Sequence, residues 1–161
     1  MINLLHPQEG KRLEAVYKLE ILDTPPDPRF DVITEEAIKR LKVPISTISV
    51  LDKDREWFKS CQGTTLTEGP REISFCGFAL LAKDIFVIED TYRDSRFKDN
   101  PYVTGEPFVR FYAGMAILDS VSGLPIGVFC VKDTRPRKFN MEELGVFMEL
   151  AQRTEILINS R

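Results

Sequence analysis

The sequence lacks the features that identify nucleic-acid-binding and membrane proteins. Its 22 lysines and arginines stand against 25 aspartates and glutamates, which gives a formal net charge of −3 without a local basic cluster. Nucleic acid is therefore not an expected partner. No apolar run approaches the ~18 residues of a membrane span, and the N-terminal residues lack the apolar core of a signal peptide. We expect no membrane association and a cytoplasmic location.

Histidine and cysteine are too few for the common metal and catalytic sites. His6 is the only histidine, and Cys61, Cys76 and Cys130 form no CxxC pair. This excludes a zinc site of cysteine and histidine ligands and a histidine-dependent catalytic triad. There is also no glycine-rich phosphate loop. The sequence identifies no cofactor and no metal, and because free cysteine is among the most buried residue types, we expect all three cysteines to be structural.

The residues that are present predict one compact α+β domain over 1–161. Apolar residues make up 43% of the chain and charged residues 29%, enough for one core. We expect an N-terminal helix over about 7–22, a core over about 27–135 and a C-terminal helix over about 140–159. Within the core, Asp27 followed by Pro28 predicts the start of a helix that extends to Leu41. The remaining segments predict strands at 45–51, 56–61 and 85–90, a short helix at 74–82 and a loop at 91–107.

A long β-hairpin is the most informative segment. Residues 106–118 and 126–133 are both β-rich, and the turn DSVSGLP joins them. Gly114 and Gly127 stand among bulky apolar residues in the two arms. A glycine inside a strand often marks a place where another group approaches the backbone closely. With the other strands, the hairpin predicts an antiparallel sheet that carries the terminal helices on one face.

The last helix has an apolar arc wider than the ~100° that a helix needs to pack on a core. Asn140 and Glu143 form a capping-box pattern at its start. One interpretation is a deeply buried helix. The other is a dimer interface shared with the first helix, in which Val146, Leu150 and Leu157 face a partner.

Five short motifs, in order, resemble those of the small-molecule-binding GAF domains of bacterial signalling proteins. They include PREISFC at 70–76, DSRFKDNPYV at 94–103 and RFYAG at 110–114. The resemblance implies a GAF/PAS-like fold in which loops and short helices cover a ligand pocket on the sheet face opposite the terminal helices. It also implies a sensory or regulatory module without enzymatic activity, a homodimer formed by the terminal helices, and a signalling output in a separate protein or in an absent part of the chain.

The candidate ligand site combines aromatic walls with a few polar anchors, as small-molecule pockets usually do. The candidate residues lie in the short helix, the loop and the hairpin: Phe75, Cys76, Asp90, Asp94, Phe97, Arg110, Phe111 and Tyr112. Arg110 has two possible roles. It can bind a ligand carboxylate or phosphate in a bidentate fork, or it can pair with Asp90 or Asp94 within the protein.

An enzymatic alternative comes from GAF proteins that reduce free methionine sulfoxide with cysteine chemistry. The segment 60–79 resembles the corresponding stretch of that group in its QG and CG pairs. Such a reductase needs a reactive cysteine and a resolving partner in neighbouring loops. Here no cysteine lies between Cys61 and Cys76 or in 77–129, and Cys130 falls within a predicted strand. The sequence therefore favours the binding module.

Overall fold

The fold is built on one antiparallel sheet of six strands. The computed structural model describes residues 4–161. The strands are β1 Ile45–Leu51, β2 Arg55–Gln62, β3 Glu68–Pro70, β4 Phe86–Ile88, β5 Phe111–Leu118 and β6 Pro125–Asp133, in the sheet order β3-β2-β1-β6-β5-β4. The helices are α1 Glu9–Lys18, α2 Pro28–Leu41, α3 Cys76–Leu81, α4 Pro101–Thr104 and α5 Met141–Asn159. The predicted α+β class and antiparallel sheet are confirmed.

The predicted starts of the two longest helices are confirmed by their caps. The side chain of Asp27 accepts a hydrogen bond of 3.0 Å from the amide of Arg29 at the start of α2. At α5, the side chain of Asn140 accepts from the amide of Glu143 at 2.8 Å, and the Glu143 carboxylate accepts from the Asn140 amide at 3.0 Å. Each cap satisfies amide groups that have no partner within the helix.

The sheet separates two apolar cores. Successive side chains of a strand point to opposite faces, so Phe111 and Ala113 lie under α1, α2 and α5, whereas Tyr112 lies on the other face. The helix-side core is the larger. The second core lies between the sheet and α3, with contributions from the segment that includes Phe97 and Val103. The predicted position of the terminal helices on one face is confirmed.

The wide apolar arc of α5 is explained by packing on α2 as well as on the sheet. Leu150 is fully buried in the core, and Val146 and Leu157 are partly buried against it. Ion pairs connect the two helices, with Arg40 Nη1 at 2.8 Å from Glu149 Oε2. The prediction that Leu150 faces a partner chain is therefore wrong, because α2 of the same chain supplies the second packing surface. The homodimer stays a prediction.

Buried charges attach α1 to the sheet. Arg12 is fully buried, and its guanidinium donates to the carbonyl oxygens of Leu51 at 2.8 Å and Pro125 at 3.3 Å. It also forms an ion pair of 2.9 Å with Glu9. The same carboxylate pairs with the buried guanidinium of Arg71. Glu9 therefore compensates two buried positive charges.

Several predicted bounds were wrong. Helix α1 ends at Lys18 and not near residue 22, and Glu20 and Asp23 have the positive φ angles of 51° and 61°. The short helix is confined to Cys76–Leu81 and the fourth strand to Phe86–Ile88. The first arm of the hairpin begins only at Phe111, after Phe108 takes a φ of 60°. The segment 91–107 contains a 3₁₀ turn and α4 and is not entirely loop.

Both hairpin glycines are required by close approach. A Cβ at Gly114 would collide with the phenol ring of Tyr112, and a Cβ at Gly127 would collide with the carbonyl oxygen of Ser49. Because glycine has no side chain, the Tyr112 ring can lie over β5 and β1 can pair tightly with β6. The expectation that these glycines mark close approaches is confirmed.

Candidate functional site

The second core brings together four of the predicted site residues: Phe75, Cys76, Phe97 and Tyr112. Their side chains fill this core. The ring of Phe75 stacks on those of Phe97 and Tyr112, with centroids 4.7 and 5.3 Å apart. The Tyr112 hydroxyl donates to Sγ of Cys76 at 3.1 Å. None of the four is more than 1% exposed. These residues therefore pack against one another and leave no opening among themselves.

Phe111 lies on the other face of the sheet. Its ring contacts that of Phe139, with centroids 5.1 Å apart, in the core beneath the terminal helices. Since neighbouring strand residues point to opposite faces, Phe111 and Tyr112 cannot contact one ligand on one face. The grouping of these two residues in a single pocket was wrong.

The polar members of the predicted set pair within the protein. Arg110 Nη2 donates to Asp90 Oδ1 at 3.1 Å, and its guanidinium lies over the ring of Tyr92 at 3.5 Å from the centroid. Asp94 forms an ion pair of 2.7 Å with Arg96. Of the two roles weighed for Arg110, the structure has the internal pairing. Ligand binding by these residues stays an untested prediction.

An open cavity lies beside this closed core, on the same face of the sheet. It has a volume of about 320 Å³ and is bounded by β1, β2 and β6 and by the segments 63–66 and 102–109. The sheet contributes Thr47, Glu56, Phe58 and Lys132 to its lining, and the first segment contributes Leu66. The volume lies at the lower end of the range of small-molecule sites.

Strand alternation explains how these side chains reach the cavity. In β1 and β6, Ile48 and Phe129 belong to the helix-side core, so Thr47 and Lys132 lie on the opposite face. In β2, Trp57 belongs to the helix-side core, and its neighbour Glu56 faces the cavity. Sequence analysis did not identify Thr47, Glu56 or Lys132 as site residues. The signal that could have identified the two charged ones was a charged residue at an inward-facing position of a buried strand.

Two charged side chains of the cavity are buried without a salt bridge in residues 4–161. Glu56 is 3% exposed, and its Oε2 atom has no hydrogen-bond partner in residues 4–161. Lys132 is 9% exposed, and its ammonium lies 6.0 Å from the centroid of the Phe75 ring, without a hydrogen bond or salt bridge within the same residues. Burial of a charge normally costs several kcal/mol unless a partner compensates it. The cavity therefore presents a carboxylate oxygen and an ammonium, neither of them hydrogen-bonded, to whatever occupies it.

The environment of the cavity shifts several pKa values. Burial opposes the charge on Lys132, but neighbouring Cys130 and Glu56 outweigh burial and raise its pKa. Burial also raises the pKa of Tyr102, and the charge of Glu56 raises it further. Lys132 is therefore an ammonium and Tyr102 a neutral phenol at physiological pH.

Three other depressions are larger, but their charged groups differ. One of about 610 Å³ lies between α5 and the segment 80–84, one of about 820 Å³ lies around Arg137 and 87–94, and one of about 480 Å³ is lined by Glu9 and Arg71. In the described part of the chain, the first two are not lined by a buried charged atom without a hydrogen-bond partner. In the third, Arg71 Nε lacks one, but the Arg71 guanidinium already pairs with Glu9. The 320 Å³ cavity is therefore the candidate site.

Comparison with solved structures identifies the fold. The GAF domain of an Acinetobacter phosphoenolpyruvate-protein phosphotransferase superposes with a TM-score of 0.63 at 15% identity, covering 98% of this chain and 94% of that one. The chain has the GAF fold. A type II free methionine-R-sulfoxide reductase from Thermoplasma acidophilum also superposes, with a TM-score of 0.63 at 14% identity over 92% of this chain and 95% of that one.

One sequence relative is much more similar. The GAF-fold chain is 43% identical over 129 residues to a cyclic di-GMP phosphodiesterase of Pseudomonas aeruginosa. The match covers 80% of this chain but only 22% of that protein, so the chain spans about a fifth of the length of the curated relative. No protein-family model matches the sequence.

The cysteines of this GAF fold differ in their surroundings. Burial raises the pKa of Cys61 to about 11 and also raises that of Cys76. For Cys130, burial is outweighed by a hydrogen bond from Cys76 and by the Lys132 ammonium, and the pKa falls to about 7. Cys76 and Cys130 are both fully buried. Cys130 is thus the most acidic of the three thiols, but solvent does not reach it.

Neither a metal centre nor a membrane span is apparent in the described residues. Within 4–161, no three histidine, cysteine, aspartate or glutamate side chains are grouped so that they could hold a metal ion. None of the helices in this range combines the length and apolarity needed to cross a membrane.

Proposed function

We propose that the chain is a sensory module that binds a small molecule in the 320 Å³ cavity and passes the binding event to a signalling output. The single observation that carries this proposal is a pair of buried charged groups at one cavity, Glu56 and Lys132, which form no salt bridge in the described residues. A buried charged group without a hydrogen-bond partner carries a desolvation cost that an occupant of the cavity can offset. The GAF fold supports the proposal, because the fold is mostly found in sensory domains.

The output is proposed from the sequence relative. That protein is a cyclic di-GMP phosphodiesterase, and the similarity is confined to a segment that makes up 22% of it. We assign to this chain the regulatory part of such a system and not the hydrolysis. The purified chain is therefore expected to leave cyclic di-GMP intact when hydrolysis is followed by chromatography. Hydrolysis would contradict the assignment.

A variant that blocks the cavity tests ligand binding. Leu66 lines the cavity and is 51% exposed, so Leu66→Trp can fill the space without disturbing a core. The protein purified from its own source is analysed by native mass spectrometry for a co-purified small molecule. We expect a ligand with the wild type and none with Leu66→Trp. The control is Val121→Trp, at a fully exposed turn position, which should keep the ligand. Equal ligand content in both variants would contradict the cavity assignment.

A reductase is the second candidate, and Cys130 is the observation in its favour. Its lowered pKa and its contact with Cys76 provide a thiolate next to a second thiol. In such a reaction the two thiols would be oxidised to a disulfide, the sulfoxide would be reduced to a thioether, and water would leave. Full burial of both cysteines counts against it. Methionine formation from free methionine sulfoxide with a thiol reductant, lost in Cys130→Ser, would establish the reductase and refute the binding module.

The homodimer through the terminal helices is retained as part of the proposal. Exposed apolar side chains remain on these helices after α2 has covered Leu150, among them Tyr17 on α1 and Ile156 on α5. If they form the interface, Ile156→Glu should convert a dimer into a folded monomer. Sedimentation of wild type and variant at micromolar concentration tests this, and a monomeric wild type would contradict it.

A further inference from the structure

The cavity offers opposite charges and apolar walls to its occupant. The carboxylate is that of Glu56 on β2, whose Oε2 has no hydrogen-bond partner in residues 4–161, and the ammonium is that of Lys132 on β6. The two groups attract each other, since the charge of Glu56 helps to raise the pKa of Lys132, but no salt bridge joins them. An occupant that completes both must carry a cation or strong donor at one end and an anion at the other.

The lining excludes phosphate-rich ligands on electrostatic grounds. Lys132 is its only lysine or arginine, whereas Glu56 and Glu106 both contribute negative charge. Phosphate groups are usually held by arginine forks or by the amide groups at helix N-termini. Neither is supplied here by the described residues that line the cavity. A nucleotide would thus place several negative charges in a cavity whose formal charge is already negative.

The size and walls of the cavity limit the number of atoms in the ligand and the character of its uncharged part. At roughly 30 Å³ for a water molecule, about 320 Å³ holds on the order of ten non-hydrogen atoms. Ile45, Phe58, Leu66 and Val109 contribute apolar surface to the walls. This shape suits one small molecule with an apolar body.

We infer that the ligand is a zwitterion of the free amino-acid class with an apolar side chain, whose ammonium group pairs with Glu56 and whose carboxylate pairs with Lys132. The inference rests on the proposed binding function of this cavity and specifies its ligand. Each pairing would give a hydrogen-bond partner to a buried charged group that forms no salt bridge within residues 4–161. The Tyr102 hydroxyl, which also lines the cavity, is available as a further hydrogen-bond donor to the ligand.

The test combines ligand and protein variants. Free L-amino acids are screened at millimolar concentration by thermal shift, and affinities are measured by calorimetry on protein refolded to remove bound ligand. We expect an apolar amino acid to raise the melting temperature. N-acetylation and C-amidation should each weaken its binding about 10- to 100-fold, the loss for one charge-assisted hydrogen bond.

Glu56→Gln and Lys132→Met identify which end each residue holds. Glu56→Gln should weaken binding of the free amino acid but should not weaken binding of the N-acetyl form further. Lys132→Met should also weaken binding of the free amino acid, but should not weaken binding of the amide form further. The matched controls Glu14→Gln and Lys98→Met alter exposed residues away from the cavity and should change neither affinity. If a variant does not fold, the acetyl and amide ligands on wild-type protein still test the inference.

The results distinguish failure of the zwitterion inference from failure of the cavity assignment. If no free amino acid binds but the source-purified protein holds another molecule that Leu66→Trp excludes, the zwitterion inference is overturned and the cavity assignment stands. If neither wild-type nor variant protein holds any small molecule and no amino acid binds, both are overturned. Equal binding of the free and blocked forms also overturns the inference.

Discussion

Replacing both buried charges of the cavity should stabilise the empty protein. The variant Glu56→Met/Lys132→Met exchanges a carboxylate and an ammonium for apolar chains of similar length. Each ion has lost several kcal/mol of hydration by burial. The attraction between them is smaller than the about 4 kcal/mol of two charges ~4 Å apart at an effective dielectric constant of ~20, because they form no salt bridge. The desolvation cost therefore exceeds the attraction.

The expected gain is about 1–4 kcal/mol, as for other buried ion pairs replaced by apolar residues. For a chain of this size, 1 kcal/mol corresponds to roughly 2–4 °C in melting temperature. Each single substitution should be less favourable than the double one, since it leaves the other charge buried without its neighbour. Urea unfolding at 25 °C and pH 7, on protein refolded without ligand, measures all three.

The matched control is Glu14→Met/Lys98→Met, which makes the same chemical changes at exposed positions and should alter stability by less than about 0.5 kcal/mol. A double variant of the cavity that is less stable than wild type by more than about 1 kcal/mol would refute the reasoning. It would mean that Glu56 and Lys132 are compensated within the empty protein and that the cavity needs no charged ligand.

Three further substitutions test the rest of the structure. Glu9→Ala removes the carboxylate that pairs with two buried arginines and should lower the free energy of unfolding, measured in urea, by about 3–5 kcal/mol. The control Glu14→Ala, at an exposed position, should lower it by less than about 0.5 kcal/mol. Burial opposes the charge of Glu9, but both arginines outweigh it and lower its pKa from 4.5 to about 2. Its contribution is thus complete above pH 4.5 and lost as the pH falls toward 2, a loss that should be absent from Glu9→Ala. Leu150→Ala should cost about 2–5 kcal/mol and exposed Ile156→Ala little; similar values would contradict the helix packing. Arg110→Ala should cost only about 1 kcal/mol, because its pair is partly exposed, and should leave ligand affinity unchanged; weakened binding would return Arg110 to the site.

Local signals predicted most of the fold. The Asp27–Pro28 pair and the Asn140–Glu143 box both mark helix starts that the structure contains, because capping depends on residues only a few positions apart. The packing of α5 could not be predicted in this way. Its apolar arc shows that two surfaces contact the helix, but whether the second belongs to α2 or to another chain depends on contacts more than a hundred residues apart.

The candidate site was harder to predict, and the alternation of side chains along a strand explains why. Aromatic residues were taken as pocket walls, yet aromatics contribute most of the burial in cores, and Phe75, Phe97 and Tyr112 indeed stack into a closed core. The cavity is instead marked by charges that interrupt apolar faces. In β6, Val128, Cys130 and Lys132 share one face, so Lys132 continues a buried row although it stands near the end of the strand. Alternation along the strand places this lysine inside the protein, where its ammonium is attracted by Cys130 and Glu56 but donates no hydrogen bond within residues 4–161, so that an acceptor of the ligand can complete it.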